Sequence, residues 1–341
     1  MATQKSVLLL ETIPLAIAGG LRLFTNFPYN KTMISIADFN QFKLDHSWVT
    51  IGAFDGVHRG HQELIRHLVT QAHRENNPAV VITFSPLPAI FFNRVPQAYS
   101  LTSPQDREDL LISLGVDHII TFKFDAQLAN LTALNFMQLL KNNLGLNHLL
   151  IGFNFALGRG RTGDLDSLQQ FGKLFGYQVE VVHPVKVDNE VISSSQIRTL
   201  LQEGQVKRAN TMLGRPYSLE GKVIHGEHRG KRLGFPTANL DLSPERLLPA
   251  RGVYASRGIV HGKSYLAETN IGIRPTFANP LESPRVEPHL LDFKEDLYEE
   301  LLRIELIEYL RPEETFASPA DLIAQVNRDI QETREMSKNG E

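Results

Sequence analysis

The stretch IGAFDGVHRGH (51–61) ends an apolar segment with a glycine-rich turn and two histidines, His58 and His61, three residues apart. The imidazoles could bind a metal or be incidental, or they could hold phosphate at the mouth of a helix. A helix that starts near Gly60 would offer unpaired N–H groups and a partial positive charge, which suit an anion. Zinc needs three or four ligands, and no third ligand lies at a useful spacing. The pattern therefore favours phosphate binding.

Two further segments are expected to complete this first site, because each follows a predicted strand, where the sites of α/β proteins form. The segment 151–165 is rich in glycine, and ISSSQIR (192–198) places three hydroxyls at a predicted helix start, with Arg198 one turn later. The serines could simply cap the helix, or they could bind a nucleoside triphosphate together with the arginine. The sequence leaves both interpretations open.

A second candidate site lies in GKVIHGEHRGKRLGFPTANLDL (221–242). Its first half combines flexible and basic residues that suit phosphate, namely Gly226, Arg229, Gly230, Lys231 and Arg232. Thr237 and Asn239 follow at a period of two, which places them on one face of an extended segment. Two neutral oxygen ligands beside a phosphate suit Mg²⁺. The alternative is an ordinary Pro-Thr-Ala-Asn turn beside a solvated basic surface.

Short apolar segments alternate with amphipathic helical segments between residues 33 and 213. The predicted strands are 48–54, 79–84, 118–122, 148–153 and 178–185, and helical segments between them include 61–76 and 132–145. Short, β-branched strands separated by helices are typical of a buried parallel sheet. This half is therefore predicted to be a doubly wound α/β domain with its ligands at the carboxyl ends of the strands.

The pattern changes after residue 213. Strand-like segments follow one another with turn residues between them, at 221–226, 252–260, 263–272, 287–293 and 301–310. Such a series predicts an antiparallel barrel or sandwich. A closing helix is predicted to begin at Pro319, with Ser318 as its N-cap. The expected domains are thus 33–213 and 214–335.

Residues 1–32 form an extension whose status the sequence leaves open. They could be a signal peptide, a loose extension, or residues that precede a true start at Met33. Glu11, Pro14 and Arg22 interrupt the apolar stretch, which therefore falls short of a clean membrane-spanning helix. No membrane partner is predicted, and the sequence does not predict the oligomeric state.

Composition narrows the function classes further. The 341 residues include 42% hydrophobic and 21% charged residues, as in an ordinary globular protein, and the length favours two domains. The net charge of −3 gives no basic field, which argues against nucleic acid as a partner. The chain has no cysteine, so it has no disulfide, thiolate zinc site or cysteine nucleophile, and it fits a reducing cytoplasm.

Seven segments resemble a known family. In the first half GAFDGVHRGH, GFNFALGRGRTGD and ISSSQIR closely resemble the adenylyltransferase module of bacterial FAD synthetases. In the second half RLGFPTANL, LPARGVYA, TNIGIRPTF and VEPHLLDFKEDLYEE resemble riboflavin kinases in order and approximate spacing. The chain is therefore identified as a member of the bifunctional family that joins both modules. The resemblance covers about residues 33–333 and implies a nucleotidyltransferase domain followed by a six-stranded antiparallel β-barrel.

For the first domain the resemblance implies transfer of AMP from ATP to FMN, with release of pyrophosphate. The residues that it places on ATP are Phe54, Asp55, Gly56, His58, Gly60, His61, Ser193, Ser194 and Arg198. Among these, His58, His61 and Arg198 are expected to be catalytic, and the histidines would polarise the ATP phosphates. Asn154 is implied on the flavin side, near the flavin phosphate.

For the second domain the resemblance implies phosphorylation of riboflavin to FMN by ATP and Mg²⁺. The residues that it places on the ATP phosphates are Gly226, Arg229, Gly230, Gly234, Pro236, Thr237 and Asn239. Thr237 and Asn239 would also hold Mg²⁺, and Glu287 would be the base that accepts the proton of the riboflavin 5′-hydroxyl. The implied partners are small molecules: ATP, riboflavin and FMN.

Three departures from the kinase pattern leave an alternative open. Glu299 stands where the family usually has a glycine that permits positive φ, AETN (267–270) replaces a more apolar stretch, and Pro288 directly follows the predicted base. The alternative is an FMN adenylyltransferase whose barrel is a weak kinase or a flavin-binding regulatory module. The main expectation is one cytoplasmic enzyme with both activities.

Overall fold

The computed structural model describes residues 33–187, 190–226, 234–272 and 285–339. The described residues belong to one compact unit of the chain, Thr32–Glu341. Outside the described residues lie the extension 1–32, residues 273–277 of the TNIGIRPTF segment, and Arg229, Gly230, Lys231 and Arg232 of the second site.

The first half of the described unit contains a five-stranded parallel sheet. Its strands are β1 (Ser47–Ile51), β2 (Ala79–Ser85), β3 (His118–Lys123), β4 (Leu146–Gly152) and β5 (Gln178–Val182), in the order β3-β2-β1-β4-β5. All four strand pairs are parallel, which confirms the predicted α/β fold. From the central strand β1, the sheet is extended by β2 and β3 on one side and by β4 and β5 on the other. Folds of this kind bind ligands at the carboxyl ends of the strands, beside the point where the strand order reverses.

Helices follow most of these strands. Those of the described chain are α1 (Ile36–Phe39), α2 (Arg59–Arg74), α3 (Pro88–Phe91), α4 (Pro104–Ser113), α5 (Ala126–Ala129), α6 (Ala133–Leu144), α7 (Leu165–Phe175), α8 (Ser194–Gln202), α9 (Val206–Leu213) and α10 (Pro319–Asn339), with a short 3₁₀ turn at Arg159–Arg161. Helix α2 buries Leu64, Ile65, Leu68 and Ala72, a helical spacing that gives it one apolar face against the sheet.

The second half contains a six-stranded antiparallel sheet, which confirms the predicted barrel. Its strands are β8 (Tyr217–Ile224), β9 (Asn239–Asp241), β10 (Gly252–Val260), β11 (Lys263–Gly272), β12 (Arg285–Leu290) and β13 (Leu301–Arg311), in the order β12-β11-β10-β13-β8-β9. The Ala238 N–H, just before β9, donates to the Pro288 carbonyl of β12 at 2.8 Å and nearly closes the barrel. A two-stranded ribbon, β6 (Lys186–Val187) with β7 (Glu190–Val191), lies between the two sheets in sequence.

Strand ends differ from the predicted bounds where the backbone turns. Strand β1 was expected to extend to residue 54 but ends at Ile51, and the chain then turns at Phe54, which adopts a left-handed conformation with φ of 46°. Helix α10 begins at Pro319 as predicted, and the Ser318 hydroxyl accepts the Asp321 N–H at 3.2 Å.

The apolar cores of the described unit include two clusters of buried side chains. One lies between α2, α4 and the parallel sheet. The other fills the barrel and continues into α8 and α9, whose Ile197, Leu201 and Leu213 join Tyr217 and Leu219 of β8. The Leu201 carbonyl also accepts a hydrogen bond from the Ala250 N–H at 2.9 Å. Helices α8 and α9 therefore share their core with the barrel. Within the described part of the chain, no helix combines the length and apolar character needed to cross a membrane.

Candidate active sites

The first site is built on the turn between β1 and α2. Phe54, Gly56 and Val57 have φ values of 46°, 84° and 38°, so the chain reverses sharply through left-handed conformations. A Cβ at Gly56 would lie 3.0 Å from a Leu101 methyl, so glycine meets both the backbone and the space requirement. The turn ends at His58, which is the N-cap of α2. Both predicted histidines therefore lie at the mouth of this helix.

His58 and His61 are stacked, with ring centroids 3.6 Å apart and an interplanar angle of 16°. The Nδ1 of His58 accepts the backbone N–H of His61 at 3.3 Å, which leaves the proton of the neutral ring on Nε2. Burial lowers the pKa of His58 to about 4, with smaller contributions from Arg198 and Arg215, although Asp55 opposes the shift. Burial and the neighbouring His58 also lower the pKa of His61.

Neutral, oriented imidazoles are therefore present at the helix mouth. The Nδ1 of His61 is buried and has no hydrogen-bond partner among the described residues. A buried polar atom without a partner is costly, and a bound ligand is one way to satisfy it. The Phe54 and His61 rings pack edge to face, with their centroids 5.2 Å apart, and Phe54 closes this side of the site. The arrangement can donate hydrogen bonds to an anion.

Asp55 is buried beneath the turn and forms an ion pair with Arg198 at 2.5 Å. Its carboxylate also accepts the backbone N–H groups of Leu101 and Thr102, at 2.9 and 3.1 Å. Arg198 Nε donates to the Tyr99 carbonyl at 2.9 Å, and its guanidinium lies 3.5 Å from the centroid of the Tyr99 ring. Protein groups therefore engage both Asp55 and Arg198 in this structure, and their ion pair joins α8 to the turn.

The serines of ISSSQIR have two different roles in the fold. The Ser193 hydroxyl accepts the Gln196 N–H at 3.2 Å and caps α8. The Ser194 hydroxyl donates to the Asp55 carbonyl at 2.8 Å. The structure thus brings this segment against the β1–α2 turn. The third predicted segment supplies Asn154, which is exposed two residues beyond the end of β4.

A cavity of about 470 Å³ near the carboxyl end of β2 was not predicted from the sequence. Its aromatic walls are Phe84, Phe91, Phe92, Phe124 and Phe136, and its rim includes Arg94, Gly158, Arg159, Gly160 and Arg161. The segment that contains Asn154 leads directly into this rim.

The guanidinium of Arg107 connects the cavity with the first site. It donates to the Phe84 carbonyl at 2.9 Å and to the Ala53 carbonyl of the β1–α2 turn at 3.2 Å. The closely spaced phenylalanines in FSPLPAIFFN and FKFD were the sequence signal that could have indicated the cavity. Such residues more often belong to a hydrophobic core.

The second site lies where β9 meets β12. The Ala238 N–H donates to the Pro288 carbonyl at 2.8 Å, and the His289 Nδ1 donates to the Pro236 carbonyl at 2.7 Å. These bonds hold the FPTAN segment alongside the strand that contains Glu287. Thr237 is exposed, and half-buried Glu287 lies opposite Asn270 in the β11–β12 register.

Asn239 begins β9, and its side chain lies so close to Gly226 that any side chain at Gly226 would collide with it. Gly234 is exposed and has a φ of 92°. Beside this segment lies a cavity of about 320 Å³, which Pro236, Thr237, Pro288, Phe293, Leu297 and Tyr298 help to line. The structure thus brings the predicted Thr237 segment and a ligand-sized cavity together.

The three departures from the kinase pattern have physical consequences. Glu299 has a φ of 68°, the conformation that favours glycine, and forms an exposed ion pair with Lys222 at 2.5 Å. Glu268 of the AETN stretch is only 8% exposed, and burial, followed by the charge of Asp329, raises its pKa to about 8. Pro288 lacks an N–H, but its carbonyl accepts the bond from Ala238 that nearly closes the barrel.

The donors available for a metal are neutral oxygens. No group of three or more His, Asp or Glu side chains that could hold a metal occurs in the described part of the chain. Mg²⁺ in phosphoryl-transfer sites is typically held by one or two protein oxygens together with substrate phosphates and water. The Thr237 hydroxyl and the Asn239 amide oxygen fit that kind of site, with the carboxylate of Glu287 on the neighbouring strand.

Comparisons with known proteins identify both halves. A family model described as FAD synthetase matches residues 41–196, and one described as riboflavin kinase matches residues 213–337. The chain is 37% identical to the bifunctional riboflavin kinase/FMN adenylyltransferase of Pseudomonas fluorescens over 290 residues, which cover 84% of this chain and 92% of that protein. It is 35% identical to the protein of that name from Escherichia coli K12 over 307 residues, 89% of this chain and 97% of that protein.

A solved structure also resembles the whole described fold. A crystal structure described as a macrolide-efflux protein from Streptococcus pneumoniae superposes with a TM-score of 0.80 at 30% identity, covering 89% of this chain and 99% of that chain. The efflux description concerns that protein, and the two chains share sequence and fold. From the family models and the two curated relatives, the chain belongs to the bifunctional riboflavin kinase/FMN adenylyltransferase family.

Proposed function

We propose that this chain makes FAD in two steps. The barrel phosphorylates riboflavin with ATP to give FMN, and the α/β domain transfers AMP from a second ATP to FMN, with release of pyrophosphate. The observation that supports this most strongly is the match of one family model to each half, in the order FAD synthetase and then riboflavin kinase. The riboflavin kinase match over residues 213–337 favours an active barrel over a solely regulatory one.

In the adenylyl transfer, an oxygen of the FMN phosphate attacks the α-phosphorus of ATP, and the bond to the bridging oxygen of pyrophosphate breaks. The N-terminus of α2 binds the ATP phosphates through its unpaired N–H groups. His58, whose Nε2 carries the proton, and His61 donate hydrogen bonds to the charge that develops on these oxygens. The unsatisfied Nδ1 of His61 supports this role.

Arg198 serves this site mainly through Asp55. Its buried ion pair fixes the carboxylate that receives the N–H groups of residues 101 and 102, and thereby fixes the turn. Removal of one partner of a buried pair leaves an uncompensated charge, which costs about 3–5 kcal/mol. The predicted direct contact of Arg198 with ATP remains a prediction.

The aromatic cavity is our candidate for the FMN ring. Flat aromatic ligands favour such walls, and about 470 Å³ lies within the usual range for small-molecule sites. Arg159 and Arg161 on its rim are suited to the flavin phosphate, together with the predicted Asn154. The Arg107 guanidinium, which contacts both β2 and the β1–α2 turn, supports one shared site for FMN and ATP.

In the kinase reaction, Glu287 accepts the proton of the riboflavin 5′-hydroxyl as that oxygen attacks the γ-phosphorus and ADP leaves. Riboflavin occupies the 320 Å³ cavity beside Thr237. Mg²⁺, when bound by the hydroxyl of Thr237 and the amide of Asn239, would neutralise charge on the transferred phosphoryl group. The hydrogen bonds from Ala238 and His289 orient the FPTAN segment for this task.

We also propose that the enzyme acts in the cytoplasm on these small molecules alone. The cysteine-free composition and the need for ATP support this location. The net charge of −3 gives no reason to expect nucleic acid, and we propose no membrane partner.

A single assay tests the proposal. Purified protein is incubated with ATP, Mg²⁺ and either riboflavin or FMN, and the flavins are separated by chromatography. Both FMN and FAD should form from riboflavin, and FAD from FMN. Glu287→Gln should abolish FMN formation and preserve FAD formation from FMN, while His61→Ala should do the reverse. Each variant is thus the folding control for the other, and loss of both activities in either one would refute the assigned roles.

A further inference from the structure

The chain that leads from α9 into the barrel makes direct contact with the phosphate-binding turn. Arg215 lies two residues before β8, and its guanidinium donates to the Gly56 carbonyl at 2.8 Å and to the Val57 carbonyl at 3.4 Å. Gln62 of α2 strengthens the same junction, because its side-chain amide donates to the carbonyls of Val57 and Leu213 at 2.9 and 2.8 Å. The turn is therefore attached to a segment that sequence reasoning assigned to the other domain.

This turn requires support from its surroundings. Phe54 and Val57 are L-residues in the left-handed region, and such a conformation persists only where neighbouring groups determine it. Besides Asp55, whose contacts are described above, the backbone groups of residues 56 and 57 contact three side chains. The Gly56 N–H donates to the Thr102 hydroxyl at 3.2 Å, and the two carbonyls receive Arg215 and Gln62. Arg215 is the charged member of this set.

The position of Arg215 also affects the anion site electrostatically. Burial lowers the pKa of Arg215 to about 10, so it remains a cation at neutral pH. The positively charged guanidinium lies against the carbonyl oxygens of Gly56 and Val57, which are the negative ends of two peptide dipoles, beside the N-terminus of α2. Its charge reaches His58, whose pKa Arg215 helps to lower. The charged groups that act on His58 are Asp55, Arg198 and Arg215, and the titratable ring of His61 stacks on it.

We propose that Arg215 is a positioning residue of the adenylyltransferase site, and that it holds the carbonyls of Gly56 and Val57 so that the phosphates meet N–H groups and imidazoles. This inference rests on the proposed adenylyl transfer and adds to it a residue from outside the predicted motifs. An arginine suits this position, since a planar guanidinium can donate to two successive carbonyls at once.

The experiment compares the wild type with Arg215→Gln and Arg215→Lys. Arg208→Gln is the matched control, because Arg208 is an exposed arginine of α9 that pairs with Glu190. FMN adenylylation and riboflavin phosphorylation are measured on each protein, and the His58 imidazole is titrated by NMR. Kinase activity reports whether the fold is intact.

The Arg215→Gln variant should lose about ten- to a hundred-fold in kcat/KM for FMN adenylylation, mainly in kcat, because two bonds from a charged donor disappear. Its kinase activity should stay within about twofold of the wild type. The pKa of His58 should rise in the glutamine variant but not in the lysine variant, which keeps the charge and should retain intermediate activity.

Three results would overturn the inference. The first is an Arg215→Gln enzyme that adenylylates FMN as well as Arg208→Gln does. The second is a parallel loss of both activities, and the third is an unchanged His58 titration, since either would indicate a merely structural role. A wild-type protein that forms no FAD from FMN would instead refute the proposed function itself.

Discussion

A buried carboxyl group between the barrel and its terminal helix should make stability depend on pH. Glu268 of β11 is 8% exposed, and its Oε2 has no hydrogen-bond partner among the described residues. It faces Asp329 of α10, which is 2% exposed and already accepts the Arg311 guanidinium at 2.7 and 3.0 Å. Burial, and then the charge of Asp329, raise the pKa of Glu268 from 4.5 to about 8, although Arg311 opposes the shift.

The replacement Glu268→Gln should therefore stabilise the protein at neutral pH. The folded state holds this carboxyl protonated until about pH 8, whereas the unfolded chain releases the proton near pH 4.5. Stability contributed by the proton is fully present below about pH 4.5 and is lost as the pH rises toward 8. At about 1.36 kcal/mol per pKa unit, the wild type is penalised by about 3 kcal/mol at pH 7, and the neutral amide avoids this penalty.

Urea unfolding at two pH values tests this reasoning. The glutamine variant should exceed the wild type by about 3 kcal/mol at pH 7 and by less than about 1 kcal/mol at pH 5. Glu332→Gln, on the exposed surface of the same helix, is the control and should change stability by less than about 0.5 kcal/mol at both. A difference that is equal at both pH values, or a destabilised Glu268→Gln variant, would refute the argument.

Three further predictions follow from single side chains. Glu299→Gly should raise the unfolding free energy by about 1 kcal/mol, because relief of the 68° φ outweighs the exposed ion pair with Lys222; a lower urea midpoint would contradict this. The His58 imidazole should titrate by NMR near pH 4 in the free enzyme, and a midpoint near its ordinary value of 6.5 would contradict its burial. His289→Ala should raise the KM for ATP in the kinase reaction by about two- to tenfold through loss of the bond to the Pro236 carbonyl; equal loss of FMN adenylylation would indicate a general effect on folding.

Local patterns predict the elements of this fold well. Strands β10 and β11 occupy the predicted residues, Gly252–Val260 and Lys263–Gly272, because their β-branched and aromatic residues and the tight turn between them are both local signals. His261 and Gly262 form that turn with φ values of 50° and 72°. The errors at strand ends arise where the local sequence is not sufficient to determine the backbone. Nothing in WVTIGAF shows that Phe54 will adopt a positive φ, since contacts made elsewhere in the chain determine it.

Only those residues of the candidate sites that belong to sequence motifs could be predicted. The histidine and serine motifs were predicted to share a site, and the Ser194 hydroxyl does reach the Asp55 carbonyl. The functions of Arg107 and Arg215 could not be inferred, because their partners in the β1–α2 turn lie 54 or more positions away and a buried arginine has the same local sequence pattern as an exposed one. The aromatic cavity was missed for a related reason, since a phenylalanine that lines a cavity has the same local pattern as one in a core.

The first site depends on two separate cores, and this makes the barrel a structural part of it. His58 and Asp55 are held by the β1–α2 turn above the sheet core, whereas Ser194 and Arg198 belong to α8, whose apolar face packs into the barrel core. The bonds from Ser194 and Arg198 to Asp55 cross between these cores. A chain that ended at Leu213 would expose the apolar side chains of α8 and α9 to water. The cost in free energy is about 25 cal/mol for each Å² of apolar surface exposed. It would also lose Arg215. The geometry at His58 is therefore set jointly by both halves of the chain, although the motifs that mark it all lie in the first.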